Sequence, residues 1–332
     1  MVWLPRLLAC RLRTVSRVRW YPVKRVIMTA LNRLPIVVIA VCEAVMIYTA
    51  TGVAKVAFTQ LDAVYAAWYR VGFMALMLLA WRRPWKADRR DSLPGTRRDW
   101  GLLAGFGAAL VLMNTMYYVA ISNMDIGIAT AIEFIGPLGV AVITGHSWRE
   151  RVGIGIAAGG VVLLAGISLG GENGGSFLIG LIAILVGGSM WGCYIVFGGK
   201  VAAKGHPIDM LCWGTVLGWL MQSVFLAPGA IAHLAGPKAD ATWVHASWGV
   251  AALLALLFLV SLFGSFLPYL TDQVVMRRIP SARYSVVQSI NPAMATFIAL
   301  AFGEIPTLGE CAGIALVIVA VIVTFSGDAN PA

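Results

Sequence analysis

The sequence predicts an all-α polytopic membrane protein with ten transmembrane helices, arranged as two inverted five-helix repeats. Three observations predict this fold class. Of the 332 residues, 60% are hydrophobic and 12% are charged, whereas a soluble domain carries roughly 25% charged residues. The apolar residues fall in blocks of about 20, the length at which a helix crosses a hydrocarbon core. Similar polar and proline positions also recur in the two halves of the chain.

The connections between the predicted spans are short and leave no room for a soluble domain. We divide the chain into a basic tail (1–34), a first repeat (35–170), a second repeat (171–326) and a C-terminal segment (327–332). The approximate bounds of the ten spans are 35–56, 61–81, 100–121, 126–145, 151–170, 176–197, 207–228, 247–270, 281–303 and 306–326.

The basic residues predict the orientation of the chain. All but three of the 25 lysines and arginines (Lys55, Arg70 and Lys238) fall in the tail or in the loops on the same side as the tail. By the positive-inside rule both termini are cytoplasmic. The net charge of +10 therefore reflects topology and contact with anionic lipid headgroups, and it does not indicate a nucleic-acid partner.

Residues 1–33 are rich in arginine and contain no acidic residue. Their apolar stretch is too short and too interrupted for a cleavable signal peptide. Two alternatives stay open: an interfacial amphipathic anchor, or a segment upstream of the true start, since Met28 could open the protein.

An internal repeat predicts where a site would lie. Aligning Gly136-Pro137 with Asn291-Pro292 also pairs Glu133 with Gln288. Each half then contains five spans, and an odd number inverts the second copy relative to the first. Inverted repeats place a transport site at their interface, near the middle of the membrane.

Three charged residues fall inside predicted spans: Glu43, Arg70 and Glu133. A charge at the bilayer centre costs roughly 2.5–3.5 kcal/mol even on insertion scales, so each should face the protein interior or a water-filled cavity. Arg70 and Glu133 could form a structural ion pair. Alternatively, Arg70 binds a substrate carboxylate and Glu133 receives an ammonium group or a proton, as a proton-coupling residue. For Glu43, helix packing and function are equally open.

Two prolines add a second indication of a site. Pro137 and Pro292 lack an N–H, so the carbonyls four residues earlier, at Glu133 and Gln288, lose their helical partners. Broken helices at matching positions in two repeats are typical of transporter binding sites, although a kink for packing is the alternative. Further candidate polar contacts are Asn114, Tyr118 and Tyr269, with Lys55 as a secondary candidate near a span end.

No enzyme motif appears in the context that its chemistry requires: HExxH, a P-loop and GxGxxG after a strand are missing, and the GxSxG match at Gly166 to Gly170 lies within a predicted membrane span. The five cysteines and four histidines show no metal-ligand spacing. We therefore expect no enzymatic activity, no cofactor and no metal. The expected partners are a small-molecule substrate, a proton and the lipid bilayer. The oligomeric state stays open.

The stretch from Asn114 to Pro137, with Glu133-Phe134 and Gly136-Pro137-Leu138 near its end, resembles the EamA family of the drug/metabolite transporter superfamily. Within that family it is similar to the threonine/homoserine exporters. Looser matches are Gly52 to Lys55, Arg70, Trp81 to Trp85, Met190-Trp191 with Tyr194-Ile195, Leu267 to Tyr269, and Phe302 to Glu304.

This resemblance implies ten spans in two EamA repeats, a cytoplasmic-membrane location, and proton-driven export of amino acids or related metabolites. One position departs from the pattern, because similar exporters often carry Glu-Pro where this chain has Asn291-Pro292. Two alternative functions remain: efflux of another metabolite or a drug by the same kind of transporter, and a membrane-embedded transferase.

Overall fold

The computed structural model describes residues 34–83, 95–144, 148–169, 174–203, 207–235, 249–279, 284–285 and 287–325. These residues form α-helices, with no strand among them. We number the helices α1 Ile36–Ala57, α2 Ala63–Arg82, α3 Arg97–Ile121, α4 Ile126–Glu133, α5 Ile135–Thr144, α6 Trp148–Leu169, α7 Gly174–Ala202, α8 Pro207–Ala235, α9 Gly249–Ser261, α10 Leu267–Arg278, α11 Asn291–Ala301 and α12 Leu308–Phe325.

The helices have the length and composition of membrane spans. Six are long and apolar enough to cross a bilayer: 36–57, 63–82, 97–121, 175–202, 207–232 and 249–278. Shorter apolar helices occupy 126–140, 151–163, 291–301 and 308–320. The all-helical membrane fold is thus confirmed, while the number of ten spans stays a prediction. Residues 1–33 of the basic tail lie outside the described residues, and so do the residues after 325.

The surface is apolar as well as the core. Large hydrophobic side chains such as Phe225 (82% exposed), Val224 and Phe297 project outwards from their helices. A helix that is hydrophobic on all sides is buried in a large protein or surrounded by lipid. Because these side chains are exposed in the protein itself, the surrounding medium that suits them is lipid.

The helices that carry Pro137 and Pro292 are both interrupted where the sequence predicts. The helix α4 ends at Glu133, a turn at Phe134 follows, and α5 carries Pro137. In the second half a 3₁₀ turn, Gln288–Ile290, precedes Pro292 in α11, and the Asn291 N–H donates to the Gln288 carbonyl. The carbonyl expected to be free near Pro292 is therefore satisfied by the tighter turn.

A third interruption was not predicted. Between α9 and α10 the chain forms a π-helical turn, Leu262–Phe266, within an otherwise continuous 30-residue helix, 249–278. Such π-bulges widen a helix by one residue and often occur at functional sites. In this chain the turn lies next to Arg70, as described below.

Close glycine contacts fix the helices around the site. A methyl group added at Gly136 would lie 1.8 Å from the Gly188 carbonyl oxygen, and one at Gly107 would lie 2.1 Å from that of Gly214. Small residues let helix backbones approach in a membrane. The contact of Gly188 with the Glu133 backbone holds the end of α4 against α7.

Candidate functional site

Arg70 is a buried cation that is held by uncharged groups. It lies about two turns into α2, and its side chain is 4% exposed. Its Nε donates to Ser265 Oγ at 2.6 Å, and an Nη donates to the Gly264 carbonyl. Ser261 Oγ in turn donates to the Arg70 carbonyl oxygen. The π-turn therefore positions the guanidinium, and within the described residues no carboxylate forms an ion pair with it.

Three other predicted residues interact with this guanidinium directly or through one another. With Ser265 they form what we call the Arg70 cluster: Arg70, Tyr118, Asn114, Tyr269 and Ser265. The Arg70 guanidinium carbon lies 4.9 Å from the centroid of the Tyr118 ring, a distance typical of cation–π contacts. Asn114 Nδ2 donates to the Tyr269 hydroxyl at 2.7 Å. The Tyr118 hydroxyl is buried and has no hydrogen-bond partner among the described residues.

Glu133 lies near this cluster without joining it. Its side chain is 7% exposed, and it interacts electrostatically with Arg70. Tyr117, which hydrogen-bonds Thr130 on α4 at 3.0 Å, also interacts electrostatically with Glu133. Among the described residues Glu133 forms no ion pair within 4 Å. The structural ion pair between Arg70 and Glu133 that the sequence left open is therefore not formed.

Gln288 and Glu43 belong to a second cluster that the sequence did not predict as a unit. We call it the acidic cluster: Glu43, Asp272, Tyr284, Gln288 and Tyr194. Gln288 Nε2 donates to Asp272 Oδ1 at 3.1 Å, Tyr284 donates to the same oxygen, and Tyr194 donates to Asp272 Oδ2 at 3.3 Å. Thr271 Oγ1 donates to Glu43 Oε2 at 3.3 Å.

Asp272 was missed because the predicted eighth span ended at residue 270. The polar run Thr271-Asp272-Gln273 lowers the hydropathy there, yet the helix continues to Arg278 and Asp272 is 4% exposed. A useful signal was present in the sequence. The paired basic residues Arg277-Arg278 mark a span end more reliably than three polar residues inside a helix do.

Asn291 takes part in this second cluster as well. Its Nδ2 donates to Gln288 Oε1 at 3.0 Å, so it orients the amide whose nitrogen faces Asp272. Residue 291, where the resemblance to the exporters implied a carboxylate, thus carries an amide in this chain. The carboxylate of this region is instead supplied by Asp272, from α10.

Lys55 lies near the C-terminal end of α1, away from Glu43, and forms an ion pair there. Its Nζ is 2.5 Å from Glu304 Oε1 and donates to the Met124 carbonyl. Glu304 Oε2 accepts from the N–H of Ile126, at the first turn of α4. In the adjacent loop, burial raises the pKa of Asp125 and the charge of Glu304 adds to that rise. Lys55 therefore joins the ends of α1, α4 and α11 and does not reach the Arg70 cluster.

A second ion pair joins a helix of the first half of the chain to a helix of the second half. It lies at the helix ends that are opposite to Lys55. Arg82, at the end of α2, donates through Nε and Nη2 to the two carboxylate oxygens of Asp209 in α8, each at 2.6 Å. This fork-to-fork geometry is the strongest that arginine makes with a carboxylate. No group of three or more His, Cys, Asp or Glu that could hold a metal ion occurs within the described residues.

Comparison with known proteins shows that the sequence is similar to those of transporters. The model of the EamA-like transporter family matches residues 34–170 and 178–326. The threonine/homoserine exporter RhtA of Salmonella typhimurium (strain LT2) is 28% identical over 290 residues, covering 85% of this chain and 89% of the exporter. RhtA of Escherichia coli (strain K12) is 28% identical over 273 residues, covering 81% and 83%.

A solved structure supports the fold. A crystal structure described only as that of a protein aligns with a TM-score of 0.56 at 13% identity, and covers 89% of this chain and 99% of the other. At that identity the likeness concerns the fold alone. The family match and the exporters' names concern the kind of protein.

Proposed function

Because the chain belongs to the EamA-like transporter family, we propose that this membrane exporter is a secondary active exporter of small amino-acid-like metabolites of the threonine and homoserine type. The observation that carries the proposal is Arg70, a buried guanidinium held by a serine and a carbonyl without a carboxylate partner. A buried charge without a counter-ion is costly. A substrate carboxylate would supply that counter-ion, and arginine binds it in two-pronged geometry.

Glu133 would bind the ammonium group of the proposed substrate. A zwitterionic substrate carries an ammonium group beside its carboxylate, and Glu133 is a buried carboxylate that interacts with the region of Arg70. Tyr118, Asn114 and Tyr269 would offer hydrogen bonds to the remaining polar atoms. Gln288, the repeat-related partner of Glu133, lies instead in the acidic cluster, where its amide donates to Asp272. The sequence also allows Glu133 to bind a proton, and that role stays a prediction.

The remaining parts of the proposal concern architecture and energy. Ten spans in two inverted repeats, with both termini in the cytoplasm, would place the Arg70 cluster between the repeats near the middle of the membrane. Export against a gradient requires a driving force, and the chain carries no nucleotide-binding motif. We propose that the proton gradient of the cytoplasmic membrane drives the transport by antiport.

The test is efflux of labelled threonine and homoserine from bacterial cells that lack their own exporters. Cells with the wild-type chain should lose label faster than cells without it. The variants Arg70→Ala and Glu133→Gln should abolish that difference while the protein remains in the membrane. The matched control is Arg277→Ala, which removes an exposed arginine outside both clusters and should leave efflux unchanged.

Three outcomes are informative. Efflux that depends on both residues supports an amino-acid site. Efflux that persists in both variants would contradict the assignment of the site. No wild-type efflux of either amino acid would contradict the cargo, and competition by other metabolites and drugs would then identify the alternative cargo.

A further inference from the structure

The acidic cluster brings two carboxyl groups from different family domains together. Glu43 lies on α1, within the first EamA match (34–170), and Asp272 lies on α10, within the second (178–326). The two carboxyl groups lie within hydrogen-bonding reach of each other. The hydroxyl of Thr271, the neighbour of Asp272, lies 3.3 Å from Glu43 Oε2, which independently places Glu43 beside this turn of α10. The pair therefore bridges the two domain copies.

Among the residues that the structure describes, no positive charge balances the pair. In the part of the chain that the structure describes, neither carboxyl forms an ion pair with Lys, Arg or His. The titratable groups described around the pair are tyrosines: Tyr48 on α1, Tyr194 on α7, Tyr269 on α10 and Tyr284 just before the 3₁₀ turn. Two carboxylates in contact at a buried site cannot both carry a negative charge without a large repulsion.

The hydrogen bonds distinguish the two acids. Asp272 accepts from Tyr284, Gln288 and Tyr194, and such donors stabilise a negative carboxylate. Glu43 interacts with the Gln288 amide and, at 3.3 Å, with the Thr271 hydroxyl, which also donates its single proton to the Pro268 carbonyl at 2.7 Å. A single proton on Glu43 would therefore point towards an ionised Asp272 and satisfy the pair.

A separate observation at this place indicates a ligand. Gln273 is fully buried, and its Nε2 lies 3.5 Å from the Tyr194 hydroxyl, which also contacts Asp272. The other end of the amide, Oε1, has no hydrogen-bond partner among the described residues. A buried acceptor without a partner is costly, and a water molecule that carries a proton towards Asp272 would satisfy it.

We propose that Glu43 and Asp272 form the proton-binding site of this transporter, in place of the proton role that the sequence suggested for Glu133. Arg70 and Glu133 then bind the substrate. The assignment rests on the proposed antiport function. One proton binds to a carboxylate oxygen of the pair from water on one side of the membrane and returns to water on the other, and no other bond is made or broken. While the proton is bound, the Glu43–Asp272 hydrogen bond holds α1 against α10. When it leaves, the two negative charges repel and the contact between the domain copies opens.

The position of the pair fits this role. Glu43 and Asp272 lie about two turns from the ends of their helices, roughly 10 Å along the axis, at the end where the basic residues place the cytoplasm. Arg70 and Glu133 lie at similar depth from the other end. Tyr269 and Tyr194, whose ring centroids are 5.6 Å apart, connect the two clusters. A change at one cluster can thus be transmitted to the other through packed side chains.

The first experiment needs no substrate. The infrared spectrum of the full chain in lipid should contain a carbonyl band from a protonated carboxyl group that disappears as the pH rises. Glu43→Gln should remove this band, and Asp272→Asn should shift the pH at which it titrates. Asp62→Asn, at an exposed position, should change neither. A band that is identical in wild type and in both cluster variants overturns the proposal.

The second experiment uses purified protein in vesicles with labelled threonine as the probe. Equal-pH exchange and uptake driven by a pH difference are measured side by side. Glu43→Gln and Asp272→Asn should reduce the driven component at least tenfold and reduce exchange much less, with Glu43→Asp restoring part of the drive. If driven uptake in these variants equals that of the wild type, protons bind elsewhere and the proposal is wrong.

The two experiments separate the failure of this proposal from the failure of the proposed function. Absence of wild-type threonine flux, with the infrared effects intact, refutes the cargo and supports the proton site. Loss of exchange and drive together in a properly inserted variant, with an unchanged carboxyl band, indicates a merely structural role and overturns the proton site.

Discussion

The Arg70 cluster and the acidic cluster are both buried between helices of the two family domains, but they treat their charges in opposite ways. The Arg70 cluster surrounds one cation with a π-turn, an aromatic face and neutral hydrogen-bonding groups, and contains no anion. The acidic cluster surrounds two acids with tyrosine and amide donors and contains no cation. A charge without a counter-ion suits a charged ligand that arrives and leaves. Two like charges suit a proton that is shared. On our two proposals, the Arg70 cluster binds the metabolite and the acidic cluster binds the proton that drives its transport.

The largest expected effect comes from removing the cation. Arg70→Ala should lower substrate flux at least ~30-fold, because losing one partner of a buried charged hydrogen bond costs about 2–5 kcal/mol. Arg70→Lys should recover a part only, since an ammonium cannot reproduce the planar fork. Initial rates of threonine exchange in vesicles measure both. Full exchange activity in Arg70→Ala would contradict the assignment of the Arg70 cluster to the substrate.

The next effect concerns the close contact between α5 and α7. Gly136→Ala should lower the thermal stability of the purified protein, because the added methyl group would overlap the Gly188 carbonyl; overpacking of this kind costs about 1–3 kcal/mol. Gly139→Ala is the matched control on the same helix, because an added methyl group there meets nothing within 4 Å. Melting curves of the two variants that coincide would show that this helix contact is looser than described.

A smaller effect should appear in the acidic cluster alone. Tyr284→Phe removes a donor to Asp272, so the negative form of the pair is less stabilised and the proton is held more tightly. The pH at which driven uptake is half-maximal should therefore move upwards, while equal-pH exchange changes little. A downward movement, or an equal loss of both activities, would contradict the assignment of Tyr284 to the proton site.

The smallest effect is expected for the ion pair between Lys55 and Glu304, near the end of α1. The Lys55–Glu304 pair is partly exposed, at 29% and 12%, and such pairs contribute about 0–1 kcal/mol. Lys55→Met should lower the free energy of unfolding by no more than about 1 kcal/mol. It should change the rate of threonine exchange by no more than a few-fold. A loss comparable with that of Arg70→Ala would place Lys55 in the substrate path after all. The exchange of both charges, Lys55→Glu with Glu304→Lys, would then test whether the pair itself matters.

The sequence predicts the helical fold well and the clusters in part. Apolar blocks of about 20 residues have few alternatives to membrane helices, and the breaks near Pro137 and Pro292 follow from a missing N–H. The grouping of Arg70, Asn114, Tyr118 and Tyr269 could be suspected because polar groups inside spans must face inwards. Their mutual contacts depend on the π-turn, and nothing in the local sequence Leu262–Phe266 marks it.

The acidic pair could not be predicted for a different reason. Glu43 and Asp272 come from helices far apart in the chain, and hydropathy places Asp272 outside its span. Only the extension of α10 to Arg278 brings it beside Glu43. A residue that lies at the end of an apolar run is thus ambiguous until the end of its helix is known.

The most direct test of the central claim is competition against threonine exchange in vesicles that contain the wild-type chain. Unlabelled threonine and homoserine should inhibit the exchange of labelled threonine. Threonine amide, which lacks the carboxylate that Arg70 would bind, should inhibit at least tenfold more weakly. Absence of exchange, or equal inhibition by the amide and the acid, would contradict the account.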